Sequence, residues 1–166
     1  MTYAFNKFDK EKMARANGSN LSISLKKSVE LAKAIQGKRV DSAINYLERV
    51  IEKKQPVPYT RFKQEMAHKK GKGIAVGGYP VNVAKEFLKL INSAKKNASE
   101  QEVSGDLYIV SFSARQGPSR YRPGRHQGRK MKMSNVEVVL AVREKKKTTK
   151  KEEKKIEIQN EEKKAQ

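Results

Sequence analysis

At 166 residues the chain is expected to form one domain with a modest core and an appended tail. Its 38 Lys+Arg against 18 Asp+Glu give a formal charge of +20, beyond the magnitude of about 2–8 usual in a small domain, so a polyanionic partner is implied: nucleic acid first, an anionic membrane second, an acidic protein third. Cysteine is absent and histidine occurs only at His68 and His126, which excludes a disulfide framework and a Cys/His zinc site.

In chain order, MTYAFNKFDKEK lacks the apolar stretch of a signal peptide. LSIS at 21–24 reads either as a short strand or as a lead into the first helix. That helix is expected from about Ser24 to Gln36, with Leu25, Val29, Ala32 and Ile35 on one face, Ser24 as N-cap and Gly37 just past the end. A second helix is expected from an Asp41 N-cap, striped by Ala43, Ile44, Leu47, Val50 and Ile51 and stopped by Pro56. PVPYTRFKQEMAHKKGKGIAVGGYP is then too rich in Gly and Pro for a continuous helix, and an ordered loop of that length is usually functional. A third helix follows Tyr79, with Pro80 at its first position, Val83, Ala84, Phe87, Leu88 and Ile91 inward, and Lys95 and Lys96 at its negative end.

Two strands complete the pattern. LYIVSFSA (107–114) alternates Leu107, Ile109, Ser111 and Ser113 against Tyr108, Val110, Phe112 and Ala114; NVEVVLAV (135–142) alternates Val136, Val138, Leu140 and Val142 against Glu137, Val139 and Ala141. Paired as a hairpin, they enclose RQGPSRYRPGRHQGRKMK as a loop of eighteen residues. VVLAV at 138–142 is the longest apolar run, well short of the roughly 20 residues of a membrane span, so a soluble intracellular protein without membrane insertion is expected. From Arg143 the chain carries ten basic and six acidic residues with Ile156, Ile158 and Ala165 as its apolar residues, and a solvated, disordered tail is expected over 143–166.

Catalytic chemistry finds little support. No Ser/His/Asp or Cys/His arrangement is evident, and GKGIAVGG at 71–78 lacks the order of a phosphate loop. The carboxylates lie in Lys-rich helices, where they read as i,i+4 partners rather than metal ligands. No enzyme activity and no cofactor is expected. The basic segment carries the stronger signal: Arg115, Arg120, Arg122, Arg125, Arg129, Lys130 and Lys132, with no acid among them. Arginine's planar fork grips phosphate or stacks on bases, and Tyr121 between two arginines suits an unpaired base. Further cations stand at Arg15, Lys26, Lys27, Lys38, Arg39 and Arg61 and in His68-Lys69-Lys70-Gly71-Lys72.

The order of ARANGSNLSISLKKSVELAKAIQGKRVDSAINYLERVI, PVPYTRF, AHKKG, GGYPVNVAKEFLKLINSAKKNA and a terminal hairpin with RHQGRK resembles universal large-subunit ribosomal protein twenty-two, seventeen in the eukaryotic series. The likeness spans about residues 12–142, and the VPY-x-RF and HKKG insert is similar to the archaeal and eukaryotic branch. It implies an α+β domain over 12–142, after an N-terminal extension at 1–11: three helices on a small antiparallel sheet of about three strands, with a long hairpin at about 106–142 projecting from it. It also implies a cytoplasmic, ribosomal location with large-subunit rRNA, neighbouring large-subunit proteins, the nascent polypeptide and factors docking at the tunnel exit as partners. The hairpin tip, Tyr121, Arg122, Pro123, Gly124, Arg125, His126 and Gly128, would line the nascent-peptide tunnel, with Arg125, Gly128 and Arg129 matching the family's R-x-x-G-R. Arg15 matches the basic residue of the family's A-R-A start, Lys26 and Lys27 the pair opening the first helix, and His68, Lys69 and Gly71 the insert. The chain departs from the pattern at His126, where Ala is common, at Gly78, where GRYP has Arg, and at Asn82, where Lys is usual. The alternative is a general nucleic-acid-binding protein that uses the same charges without a fixed ribosomal site.

Overall fold

The structure is a computed structural model that describes residues 4–10, 12–71, 73–103 and 105–142. The expected tail at 143–166 lies outside the described residues, as does Lys72. In chain order the elements are β1 (Met13–Leu21), α1 (Leu25–Ile35), α2 (Val40–Ile51), β2 (Val57–Pro58), β3 (Gly77–Gly78), α3 (Val81–Glu100), β4 (Leu107–Gln116) and β5 (Ser134–Val142). The class is α+β: a three-stranded antiparallel sheet in the order β1-β5-β4, a two-stranded β2-β3 ribbon, and three helices.

β5 is paired along both edges and buried on both faces. Val136, Val138 and Leu140 join the core beneath the helices, with α3 across β1 and β5 and α1 across β4. Glu137, Val139 and Ala141 point the other way and are also buried. On that side the N-terminal segment folds back: the Ala4 N–H donates to Glu137 Oε2 at 2.8 Å, and the Arg15 guanidinium lies 4.4 Å from the centre of the Phe8 ring.

The third strand is MARANGSNL, which the periodicity did not mark; LSIS instead ends β1 and leads into α1. Ala14, Ala16 and Gly18 of β1 are buried against the helical layer, where small residues admit a close helix. A Cβ on Gly18 would meet Leu90 Cδ2 of α3 at 3.0 Å. The strict alternation read for β4 also breaks. A bulge between Ile109 and Ser111 sets Leu140 opposite Ile109 and Val139 opposite Ser111, so Ile109 and Phe112 both reach the core while Val110 faces solvent. Phe112 then packs on Phe87 of α3 with ring centroids 4.4 Å apart. The outer edge of β4 is covered by the α1–α2 connection: Gly37 N–H donates to the Ile109 carbonyl at 2.8 Å and Ile109 N–H to the Lys38 carbonyl at 3.0 Å.

Helix ends shift by a residue or two from expectation. Arg39, not Asp41, occupies the N-cap of α2, and Asp41 sits in its first turn, where it accepts from Lys95 of α3 at 3.1 Å. Pro80 is the N-cap of α3 rather than its first residue, and the helix runs to Glu100, so Lys95 and Lys96 lie before its last turn. The inward face of α1 is Ser28, Leu31, Ala32 and Ile35 together with Glu30, leaving Leu25 and Val29 half-buried.

Glu30 is 2 % exposed, and its carboxylate accepts four hydrogen bonds from one turn of the following loop. The Arg61 and Phe62 N–H groups donate to Oε1 at 2.7 Å each; the Thr60 N–H and hydroxyl donate to Oε2 at 3.0 and 3.3 Å. Burial alone raises its pKa, but the Thr60, Phe62 and Arg61 backbone donors and the Thr60 hydroxyl outweigh burial, leaving it below the ordinary glutamate value. The same burial, with the Glu30 charge, pushes the neighbouring Tyr59 phenol up to about 12. A carboxyl whose folded pKa is depressed contributes stability above the unfolded value, and loses it as pH falls through the folded one. Glu30→Gln is therefore expected to cost roughly 2–4 kcal/mol, because three backbone donors and a hydroxyl lose a charged acceptor. It should also flatten the fall of stability below about pH 4.5. Urea denaturation of both proteins from about pH 3 to pH 7 checks both expectations.

Candidate nucleic-acid interface

The segment expected as an eighteen-residue loop is a continuation of the β4–β5 hairpin. Gly117 N–H donates to the Met133 carbonyl at 3.0 Å, Met131 N–H to the Arg120 carbonyl at 2.6 Å, and Arg122 N–H to the Arg129 carbonyl at 2.9 Å. Tyr121 and Lys130 form a bridge between these bonds. Only 123–128 remain as the turn, which includes a 3₁₀ turn at Gly124–His126, and Gly124 takes φ +78 where a side chain would be strained. Proline and glycine interrupt the side-chain alternation, so backbone bonds carry the ladder without the period-two pattern that marks a strand.

On this arm Arg115, Arg120, Arg122, Arg125, Arg129, Lys130 and Lys132 are all exposed, as are Pro123, Gly124 and Gly128. Among the described residues none of the seven cations makes an ion pair. Tyr121 is 59 % exposed, with the Lys130 ammonium 5.7 Å from its ring centre. At the base of the arm, Lys26 and Lys27 occupy the first turn of α1, which holds no acid and is not capped by the Ser24 side chain. Lys26 lines one cleft with Lys130 and Lys132; Lys27 and Lys132 line the next.

The turn held by Glu30 displays Arg61 and Phe62. The Arg61 guanidinium lies 5.3 Å and the Lys26 ammonium 5.9 Å from the Phe62 ring centre, so the loop and the start of α1 form one basic surface with an aromatic in it. Phe62 was missed in the sequence, where only its position beside Arg61 marked it. Farther along, His68 pairs with Val76, its Nδ1 3.1 Å from the Ala75 carbonyl; Lys69 lies over the Tyr79 ring at 5.6 Å, and Lys70 is exposed. At Gly78, where the resemblance expects an arginine, a Cβ would meet Met66 Cε at 2.7 Å: the Met66 side chain fills that space.

Arg39, Lys38 and Arg15 are also engaged within the fold. Arg39 donates to Asp106 at 2.9 Å, Lys38 lies 4.1 Å from the Tyr46 ring centre with its pKa lowered by burial, and Arg15 is stacked on Phe8. Arg39 bridges Tyr108 at the start of β4, the end remote from the turn. Among the described residues no group of His, Asp or Glu is placed to hold a metal, and no helix is long and apolar enough to cross a membrane.

Residues 16–141 match the family model described as ribosomal protein L22p/L17e. The chain is 44 % identical over 106 residues to "Large ribosomal subunit protein uL22" of Methanococcoides burtonii, covering 64 % of this chain and 70 % of that protein. It is 38 % identical over 143 residues to the protein of the same name from Picrophilus torridus, covering 83 % and 94 % of the two chains. A third such protein, from Archaeoglobus fulgidus, is 35 % identical over 150 residues, covering 86 % and 97 %. A match across nearly the whole folded domain, with archaeal relatives alike, means that the chain belongs to the ribosomal protein L22p/L17e family, in its archaeal-type branch.

Proposed function

We propose that this protein is a structural, non-catalytic constituent of the large ribosomal subunit in the cytoplasm, holding large-subunit rRNA against neighbouring subunit proteins. The observation that carries this reading is the arm: seven exposed cations with no acid among them, on a hairpin rooted in the central strand of the sheet. A rigid base with a uniformly positive projection suits an element that enters packed RNA, where phosphate surrounds it. The names borne by the three archaeal relatives support the same assignment. In this reading the basic surface of Lys26, Lys27, Arg61, His68, Lys69 and Lys70 seats the domain on rRNA near the tunnel exit, where docking factors meet it. The tip at 121–128 borders the path of the nascent polypeptide.

If all seven arm cations neutralise phosphate, the logarithm of affinity for large-subunit rRNA falls with the logarithm of salt at a slope of about −5 to −6. Replacing Arg120, Arg122, Arg125 and Arg129 by Gln should reduce the steepness by about 3 in anisotropy titrations. Wild-type protein should co-sediment with the large subunit through a high-salt wash. Protein in which 118–130 are replaced by Asn-Gly keeps the β4–β5 stem yet should enter particles poorly or alter passage of the nascent chain. Equal affinity for duplex DNA and unrelated RNA, with no footprint on rRNA, would instead point to a general nucleic-acid binder.

A further inference from the structure

Where the arm leaves the domain, the start of α1 and the two hairpin strands enclose a cleft of about 430 Å³. Its chemistry is divided. Leu25, Pro118, Met131 and Met133 provide alkyl, prolyl and thioether surface, and Lys26, Lys130 and Lys132 provide charge. No acidic residue lines it, and among the described residues none of the three lysines makes an ion pair. The cleft is also fixed in shape: Gly117 N–H donates to the Met133 carbonyl, and a Cβ on Gly117 would come within 3.2 Å of Met133. A side chain at position 117 would require Met133 to give way by a few tenths of an ångström.

We infer that this cleft takes one extruded nucleotide of the bound RNA, its base on the Met131, Met133 and Pro118 surface and its phosphate on Lys26, Lys130 and Lys132. The inference rests on the rRNA-binding reading and deepens it. A ligand matching the lining needs a flat, weakly polar body and an attached anion; a nucleotide has both, and polarizable thioethers pack well on an aromatic ring face. A regular duplex presents phosphate but keeps its bases stacked, so it would satisfy the lysines and leave the apolar surface uncovered. The strand also has a way out. Lys132 is shared with a neighbouring cavity of about 330 Å³ lined by Ser22, Lys27 and Asn82, where the next phosphate would sit. An acidic peptide with an apolar side chain is the competing occupant; the unpaired cations continuing along the arm from Lys130 favour RNA, which offers a phosphate at every step.

The test uses the full chain bound to protein-free large-subunit rRNA, with ultraviolet crosslinking and mass spectrometry of the linked peptides. Crosslinks from a single unpaired nucleotide to 131–133 or 116–119 are expected. Ser119→Trp, which fills the cleft without changing charge, should abolish that crosslink and weaken binding about tenfold, the scale of one lost base contact. Lys26→Gln with Lys130→Gln provides a second variant. It should lose more affinity than Lys53→Gln with Lys85→Gln, which removes equal charge elsewhere, and urea midpoints establish that each variant is folded. Selective rRNA binding with no crosslink at the cleft and undiminished affinity of folded Ser119→Trp would overturn the inference while leaving the rRNA-binding reading intact. A crosslink only to a neighbouring protein in assembled particles would assign the cleft to a peptide and overturn it equally. Absence of any selective rRNA binding by wild type would overturn both.

Discussion

The architecture depends on the double pairing of β5. That strand exchanges hydrogen bonds with β1 on one edge and β4 on the other, and its two faces are buried beneath the helices and beneath the N-terminal segment. A one-residue slip would turn Val136, Val138 and Leu140 away from the core and move the Glu137 carboxylate from its Ala4 N–H donor into the apolar core, which its desolvation cost opposes. Register is therefore fixed at the stem, and β4 and β5 leave the domain as a pair whose direction is set. The bulge at Val110 belongs to the same constraint, since it lets β4 keep both Ile109 and Phe112 against the helices.

A stem fixed in this way tolerates an arm that the arm's own residues could not justify. Seven like charges within eighteen residues repel one another, and three irregular cross-strand bonds plus a bridge do not supply a core. Each cation is exposed, so water and salt screen the repulsion over a Debye length of about 10 Å, and the sheet rather than the arm bears the remaining cost. A partner with regularly spaced anions would turn that repulsion into attraction. Stability is concentrated at one end of the hairpin and exposed positive charge at the other.

The helices, the two long strands and the basic segment were legible because each shows in a local pattern: a 3.6-residue stripe, a two-residue alternation, or an uninterrupted excess of one charge. What escaped was set by distant partners. β1 is built of Ala14, Ala16 and Gly18, which carry no strand signal and are buried because α3 lies close above them. The bulge in β4 is invisible in LYIVSFSA, since the alternation there is regular and only the pairing with β5 breaks it. For the basic surface, charge identified the cations but could not separate Arg39 and Lys38, engaged by Asp106 and Tyr46, from the free cations of the arm. Nor could it reveal that Lys26, about a hundred residues before Lys130 and Lys132 in the chain, shares one cleft with them.

Glu30 shows most clearly how fold and surface are joined. In SVELAKAI it reads as a solvated partner for nearby lysines, yet its carboxylate is buried and faces a turn 30 to 32 residues ahead. An unpaired carboxylate in that position would cost several kcal/mol; four donors from Thr60, Arg61 and Phe62 offset the cost and make the turn's conformation depend on the charge. By taking those backbone groups inward, Glu30 leaves the Arg61 and Phe62 side chains outside, beside Lys26 and next to the cleft at the base of the arm. One buried negative charge thus organises a positive surface while adding no exposed acid to it.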